Sequence, residues 1–417
     1  MSVVRRKLGQ GDLDLFVAAH ARFVEGKSGG RRLSLKFVDL TGLDLKGRLL
    51  DDADFTGSSL EGVKLAGARL ERAILFGCDL RGADMSGACL RRADIRGTCL
   101  QGANLSQADL TQADFREGVI AIPHATKGLA EMKHEQRPGL ADGARFAGAT
   151  LDGSRFEGVS AFKADFTDCS MKGARLTGAN LKDADLSGAM LEGAEVGGAN
   201  LAGARLIGAD LSGVVMESAR LDRTDMTGSL RAPSAAAIDR AETLMEMALD
   251  ANAWAESGGE LGEPANFDGE DLRPLGNRLT GLKLPALSAK GACLVGFDLR
   301  NMFLQGANLE NADLRGADLR GADLRGARMS GAILNKGNLG GAQLGPLPLG
   351  ATRSMPSVLK GARLRYASLH GTDLTRANLD GADLAGANFT GATVIDATFA
   401  DAHVDHALGL PPQRIAA

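Results

Sequence analysis

Residues 306–329 read GANLENADLRGADLRGADLRGARM. Leu309, Leu314, Leu319, Leu324 and Met329 recur at every fifth position, each two places after an alanine: Ala307, Ala312, Ala317, Ala322 and Ala327. An α-helix repeats near 3.6 residues and a strand at 2, so neither carries this period. A strict fivefold spacing sustained over much of a chain points to a solenoid, in which each unit makes one side of a coil and buries its apolar residue against the coils above and below. If four units close one coil, residue n lies over residue n+20, with coils about 4.8 Å apart at the strand spacing. Inward leucine then fills the centre, and inward alanine lets the wall come close. Gly316, two places after Leu314, suits the third position of a type II turn, where φ is positive.

Tandem A(D/N)LXX units of this kind resemble the pentapeptide-repeat family, over roughly three quarters of the chain. The resemblance implies an all-β solenoid, a right-handed quadrilateral parallel β-helix. It also implies a role in binding other proteins. Some small members of that family resemble B-form DNA in width and acidic surface, and so bind type II topoisomerases and protect them from quinolones or toxins.

The composition fits a solenoid. A stacked coil grows as one body because each turn touches only its neighbours, so 417 residues do not dictate a domain count. Glycine is abundant, at 56 residues, and aromatics make up only 4%, as expected of Leu and Ala ladders with glycine corners. No run approaches the roughly 18 apolar residues of a membrane span, and the opening MSVVRRKLGQGDLDL lacks a signal-peptide core. The expectation is a cytoplasmic protein with no membrane partner. Five scattered cysteines make a poor disulfide framework. Cys78 and Cys169 occupy the alanine slot as small buried hydrophobes, while Cys89, Cys99 and Cys293 sit in the outward slot before the central residue.

Departures from the period mark the organisation. Residues 1–30 hold a helical stretch, DLDLFVAAHARFVE from Asp12 to Glu25, with Leu13, Phe16, Val17, Phe23 and Val24 available for one face. It is expected to cap the first β-helix, since a solenoid end leaves strand edges and leucines open; His20 within it reads as a packing or surface residue. The first β-helix spans 31–230, and its first coil has Leu33, Val38, Leu43 and Arg48 where alanine later becomes the rule. Within it, 121–143 loses the period and shifts the phase by one residue. That stretch is expected to be a surface loop with room for a helical turn, its His124 and His134 solvated. Residues 231–278 form a helical insertion: Ser234 as N-cap, then AAAIDRAETLMEMALDANAWAE, closed by Gly258 and Gly259. Ile238, Ala241, Leu244, Met245, Ala248 and Leu249 are its expected docking face. A second β-helix covers 279–404, in which Leu344, Leu349, Leu359 and Leu364 stay in phase across a slack stretch. The tail, 405–417, offers Leu408, Leu410 and Ile415 as a lid.

Chemistry-bearing motifs are sparse. No Walker loop, GxSxG, HExxH or dinucleotide fingerprint occurs, so no catalytic residue, cofactor or metal is assigned and the chain reads as a non-enzyme. His403 and His406 with Asp401 and Asp405 come nearest to a ligand cluster, and read as a solvated terminus.

Charge separates the two functional readings. DNA mimicry needs a strong negative field, yet residues 31–120 carry thirteen basic and thirteen acidic residues, and 279–404 thirteen and ten. Residues 231–278 carry four basic and ten acidic, a net of −6. A scaffold for an unidentified protein partner therefore ranks above a topoisomerase-binding DNA mimic. Direct nucleic-acid binding is not expected, since no basic patch with aromatics is present. The expected partner surface is on the insertion, where the only Trp, Trp254, lies seven residues from Met247, with Glu242, Glu246 and Asp250 on the acidic side.

Overall fold

A computed structural model describes residues 5–124 and 128–410. The chain divides into two compact units, Met1–Ala232 and Pro233–Ala417.

In the first unit the fivefold period becomes a square coil. Ser34, Asp39, Asp44 and Leu49 bridge in parallel to Asp54, Ser59, Lys64 and Arg69, each 20 residues on, and the pattern repeats coil after coil. Four bridged positions per coil make the wall quadrilateral. The second unit shows how each pentad closes: Leu319 N–H donates to Asn338 O of the next coil (2.7 Å), and Ala317 N–H donates to Leu314 O across the corner (3.1 Å). Gly316 at that corner has φ +62. The Asp or Asn before the central leucine has its own task. Asp318 Oδ1 accepts the backbone N–H of Arg320 (3.2 Å), an Asx turn that supplies the corner's spare donor with a partner.

Inward side chains stack as ladders. Leu40, Leu60, Leu80 and Leu100 are buried, as are Phe55, Leu75, Ile95 and Phe115. Phe146 and Phe166 stack at 4.8 Å with their planes 3° apart. Where alanine is replaced by a small polar residue, its side chain reaches a carbonyl of the coil below. Ser58 donates to Leu35 O (2.7 Å), Cys78 to Phe55 O (3.0 Å) and Cys169 to Phe146 O (2.8 Å). Burial drives the Cys78 thiol up to about 12, and that of Cys293 to about 11.

Helix α1, Gln10–Val24, buries Leu13, Val17 and His20 against the first coil. Phe16 and Phe23, expected on that face, are instead 47% and 43% exposed. His20 is wholly buried, and its Nδ1 accepts the N–H of Leu33 at 3.0 Å. Ahead of the helix, strand β1 (Arg6–Lys7) pairs in parallel with β2 (Val38–Asp39) of the first coil. Arg48, in an alanine slot of that coil, is exposed and reaches Asp14 of α1 at 3.1 Å.

The 121–143 excursion is not a loop with a helical turn. Strands β3 (Gly118–His124) and β4 (Gly128–Arg137) form an antiparallel hairpin. Its base lies along a corner ridge: Ile120 is buried, and Arg137 Nη1 donates to Gly77 O at 2.9 Å. His134 is exposed, whereas the side chain of His124 lies outside the described residues. The wall resumes with Leu140 bridged to Cys99, so 41 residues replace 20. The extra residue is the phase shift, and the core ignores it, for Phe115 stacks on Phe156 at 4.1 Å.

This ridge explains one glycine. Gly77 has φ +65, and a Cβ there would meet Ile120 Cδ1 at 2.6 Å. Gly77→Ala is expected to lift the hairpin base and cost about 2 kcal/mol, combining left-handed strain with overpacking. A melting curve, and protease cutting within 118–137, measure both effects. An unchanged melt with an uncut hairpin would show that Ile120 does not rest on this corner.

In the second unit, helix α2 (Ala235–Glu256) precedes the coils, and the wall begins earlier than its leucine phase suggests. Asn266 bridges Ser288 and Asp271 bridges Cys293, with Phe267 and Leu272 buried inside. A 3-10 turn, Arg273–Leu279, adds two residues to that coil and hides the period. Farther on, Arg328 bridges Val358 thirty residues later. The ten extra residues carry the short antiparallel pair β5 (Leu347–Pro348) and β6 (Ser354–Met355). Leu349, in phase with the ladder by its spacing, lies in this excursion and is 48% exposed. An insertion of two whole pentads preserves phase while leaving the wall. Leu408 is exposed, Leu410 packs partly on the core, and Ile415 lies outside the described residues.

Candidate interaction surface

Helix α2 forms where Ser234, after Pro233, places its Oγ to accept the N–H of Ala237 (3.2 Å). It stops at Ser257, followed by Gly258 at φ +69. The buried stripe is Ala241, Leu244, Ala248 and Ala251, set in a core with Phe267, Leu272, Leu275 and Leu279. Small residues allow this close approach. Met245 packs partly against the same core, but Ile238 and Leu249, assigned to the docking face by spacing, are 58% and 51% exposed. The alanines were the signal of the true face, because they sit at spacings of three and four and exclude bulk.

Three polar contacts fix the helix further. Arg278 forks onto Glu242 (2.6 and 2.9 Å), holding its carboxyl below the usual range through those hydrogen bonds. Arg240 forks onto Glu270 (2.6 and 3.2 Å), and Asn252 Oδ1 accepts Lys283 N–H (2.9 Å). None of these partners was visible in the helical segment alone, because they come from the chain beyond it.

The five residues singled out by sequence therefore fall into different settings. Glu246 is exposed and Glu242 is exposed but paired. Asp250 Oδ2 accepts Glu263 N–H (3.0 Å), closing the turn after the helix. Met247 is half-buried on the core. Trp254 is half-buried, with its backbone carbonyl taken by Gly259 N–H (2.9 Å). Met247 and Trp254 thus flank the buried stripe, while Glu242 and Glu246 lie beside Ile238 and Leu249 on the outward face.

The walls carry charge in a different form. Arg320 forks onto Asp318 within its own turn (Nε 2.9 Å, Nη2 2.6 Å), and Arg81 onto Asp79, Arg96 onto Asp94 and Arg300 onto Asp298 in the same way. Hydrogen bonding from Arg320 and Arg300 holds the Asp318 and Asp298 carboxyls below their usual value. The charges neutralise turn by turn.

At the far end, His403 is held between Asp383 (Nδ1, 3.2 Å) and Asp405 (Nε2, 3.0 Å), which raise its pKa. Both ring nitrogens are occupied. Neither His406 nor Asp401 joins them, and among the described residues no group of three His, Cys, Asp or Glu side chains could hold a metal ion. Nor is any helix among them long and apolar enough to cross a membrane.

Residues 34–72, 53–92, 88–118, 142–178, 162–196, 197–230, 292–331, 304–341 and 357–406 match the family model described as pentapeptide repeats (8 copies). No curated protein matches the chain. Among solved structures, it is similar to HetL, a pentapeptide repeat protein involved in heterocyst differentiation regulation from the cyanobacterium Nostoc sp. strain PCC 7120. That likeness has 20% identity, covers 93% of each chain and has a TM-score of 0.15. QnrB1, a plasmid-mediated fluoroquinolone resistance protein, is 19% identical over 50% of this chain and 93% of its own, with a TM-score of 0.25. Rfr23 from the cyanobacterium Cyanothece 51142 is 20% identical over 37% of this chain and 84% of its own, with a TM-score of 0.17. At TM-scores this low, the structural likenesses bear on neither partner nor activity. The repeat matches span more than half of the chain, and with the parallel bridges every 20 residues they place it in the pentapeptide-repeat family of right-handed β-helical proteins.

Proposed function

We propose that the chain is a non-enzymatic scaffold that holds a protein partner, with α1 closing the end of the first β-helix and α2 serving as the recognition element of the second. The observation that carries this reading is the outward face of α2. Ile238 and Leu249 are more than half exposed beside the exposed Glu246, on a helix held by Leu244 on its buried face and by the Arg240–Glu270 and Arg278–Glu242 forks. A pre-ordered helix loses little freedom on binding, and an apolar patch rimmed by acid suits a partner with an apolar anchor and basic surroundings. Trp254 and Met247 lie on the opposite flank of the helix and form a second candidate surface. The topoisomerase reading has less support, because wall carboxylates already paired with arginine present a weakened negative field.

Affinity capture with matched variants tests this. Leu249→Ser with Ile238→Ser, and separately Trp254→Ala with Met247→Ala, are each expected to weaken partner retention by about thirtyfold, the size of a hot-spot loss of about 2 kcal/mol. Wall variants such as Arg320→Ser should retain it. Full retention by both pairs, in proteins that melt normally, would remove α2 from recognition. Inhibition of gyrase supercoiling by the purified chain would restore the mimicry reading.

A further inference from the structure

We infer that the pole of the first unit, built on α1, docks on an anionic lipid surface. Helix α1 has two apolar stripes, and only one is used. Leu13, Val17 and His20 face the core, whereas Leu15, Phe16 and Phe23 are 73%, 47% and 43% exposed, one side of the Phe23 ring stacking on His20 with centroids 5.8 Å apart. On a helical wheel Leu15, Ala19, Phe23 and Phe16 fall within about 100° of arc, a continuous outward stripe. Because the buried stripe is fixed to the first coil, the outward one points away from the body of the unit.

Charge specifies what would cover it. Residues 5–32 hold seven basic and three acidic side chains, a net of +4, in a chain whose total is −4. Two of the basic residues, Arg22 and Arg31, border the stripe. Arg22 lies beside Leu15 on the wheel. The segment after α1 also folds back along it, with Lys27 N–H donating to Arg22 O (2.8 Å) and Arg31 N–H to Ala19 O (3.0 Å). That return brings Arg31 next to the middle of the stripe. A Cβ on Gly30 would lie 2.4 Å from Phe23 N, so glycine there permits the close return. Arg6, Lys7, Arg22 and Arg31 are exposed and make no ion pair among the described residues. Aromatic and leucine side chains bordered by unpaired arginine match the chemistry of the headgroup–acyl boundary of an anionic bilayer, where apolar burial and electrostatic attraction add. Such contact needs no spanning helix. It uses the first unit, whereas α2 belongs to the second.

Co-sedimentation of the full chain with vesicles is the test. Phosphatidylcholine vesicles carrying about one-third phosphatidylglycerol should pellet the protein, and pure phosphatidylcholine should do so at least about tenfold more weakly. Phe16→Ser with Phe23→Ser should lower partition to the anionic vesicles by about tenfold or more. Arg22→Ser with Arg31→Ser should lower it by about twentyfold and remove most of its salt dependence. Phe16, Arg22 and Arg31 reach solvent, and Phe16→Ser alone, which leaves the Phe23–His20 stack intact, should melt like the parent and still weaken partition. Failure of the parent to pellet with anionic vesicles at low salt overturns the proposal, as does equal binding to both vesicle types. A dimer in light scattering that Phe16→Ser dissociates, without vesicle binding, would assign the stripe to a second copy and overturn it equally. Partner capture through α2 is read separately, so failure here leaves that reading intact.

Discussion

Leu319→Asp is expected to unfold the second β-helix at a temperature on the order of 10 °C or more below the parent, while Leu349→Asp leaves it unchanged. Both leucines hold the same place in the fivefold frame, 30 positions apart, and only the structure tells them apart. Leu319 is wholly buried, its N–H bonded to the coil ahead. Removing such a side chain costs about 2–5 kcal/mol, and leaving a carboxylate in its place adds the penalty of an unpaired buried charge. A loss of at least about 4 kcal/mol in a unit of this size corresponds to about 2–4 °C for each kcal/mol. Because each coil contacts only its neighbours, the break should propagate from the middle of the stack. Leu349 is 48% exposed in the β5–β6 excursion. A silent Leu319→Asp would take that residue out of the core, and a strongly destabilising Leu349→Asp would return the excursion to the wall.

That pair also shows what periodicity can and cannot disclose. The period finds every residue that faces inward on an uninterrupted wall, because the square coil maps sequence spacing directly onto direction. It is blind to insertions of whole pentads, since ten residues return the chain to the same phase by another route. The excursion between Phe115 and Phe156 was legible because residues 121–143 lose the period and the phase returns shifted by one residue. Its hairpin conformation was not, since the pairing of Ile120 with Glu135 depends on contacts between β3 and β4 and with the corner glycines. The start of the second β-helix was hidden for a related reason. Phe267 and Leu272 keep the period, but the 3-10 turn at Arg273–Leu279 separates them from the leucines that follow.

The helices were found by composition and capping, yet their faces were partly misread. In α1, Phe16 and Phe23 were grouped with Leu13 and Val17, although the four span more than one face. In α2, Ala241, Leu244 and Ala248 dock as expected and Met245 does so in part, but Ile238 and Leu249 lie outside the buried stripe, which Ala251 completes. A helix lying on the end of a coil packs where the partner surface is flat, and flatness favours small side chains. The polar anchors were beyond reach for a further reason. Glu242 pairs with Arg278, 36 residues away, through a juxtaposition that only the folded chain creates.

His20 gives the second large effect, a loss of α1 attachment in acid. At four and seven places after Leu13, Val17 and His20 share its helix face, and this histidine is wholly buried, with Nδ1 accepting the Leu33 N–H and Nε2 left without a hydrogen-bond partner. Burial lowers its pKa. The neutral ring must carry its proton on Nε2, and a second proton on Nδ1 would oppose the Leu33 N–H and break the bond between α1 and the first coil. The charges facing it give partial relief at most. Asp51 is engaged by Arg69 (2.5 Å) and Glu71 N–H (3.0 Å), Asp52 by the Arg72 fork (2.9 and 2.8 Å), and Arg31 and Arg32 add positive charge from the segment after the helix. With the folded pKa below the unfolded value of about 6.5, the contribution is complete above that pH. It falls as pH drops from there to the folded pKa, at up to about 1.4 kcal/mol per unit, because the unfolded chain binds a proton that the folded chain refuses. Amide-exchange protection factors across α1 and at Leu33 should therefore fall on acidification below about pH 6.5, ahead of those in the coil walls. His20→Gln retains a side-chain acceptor without titrating in this range, so its α1 should keep constant protection and the difference between the two proteins isolates the imidazole. Protection in the parent that holds steady down to about pH 4.5 would mean that His20 takes up its proton as readily in the folded chain as in the unfolded one, and that α1 is held by Leu13 and Val17 alone.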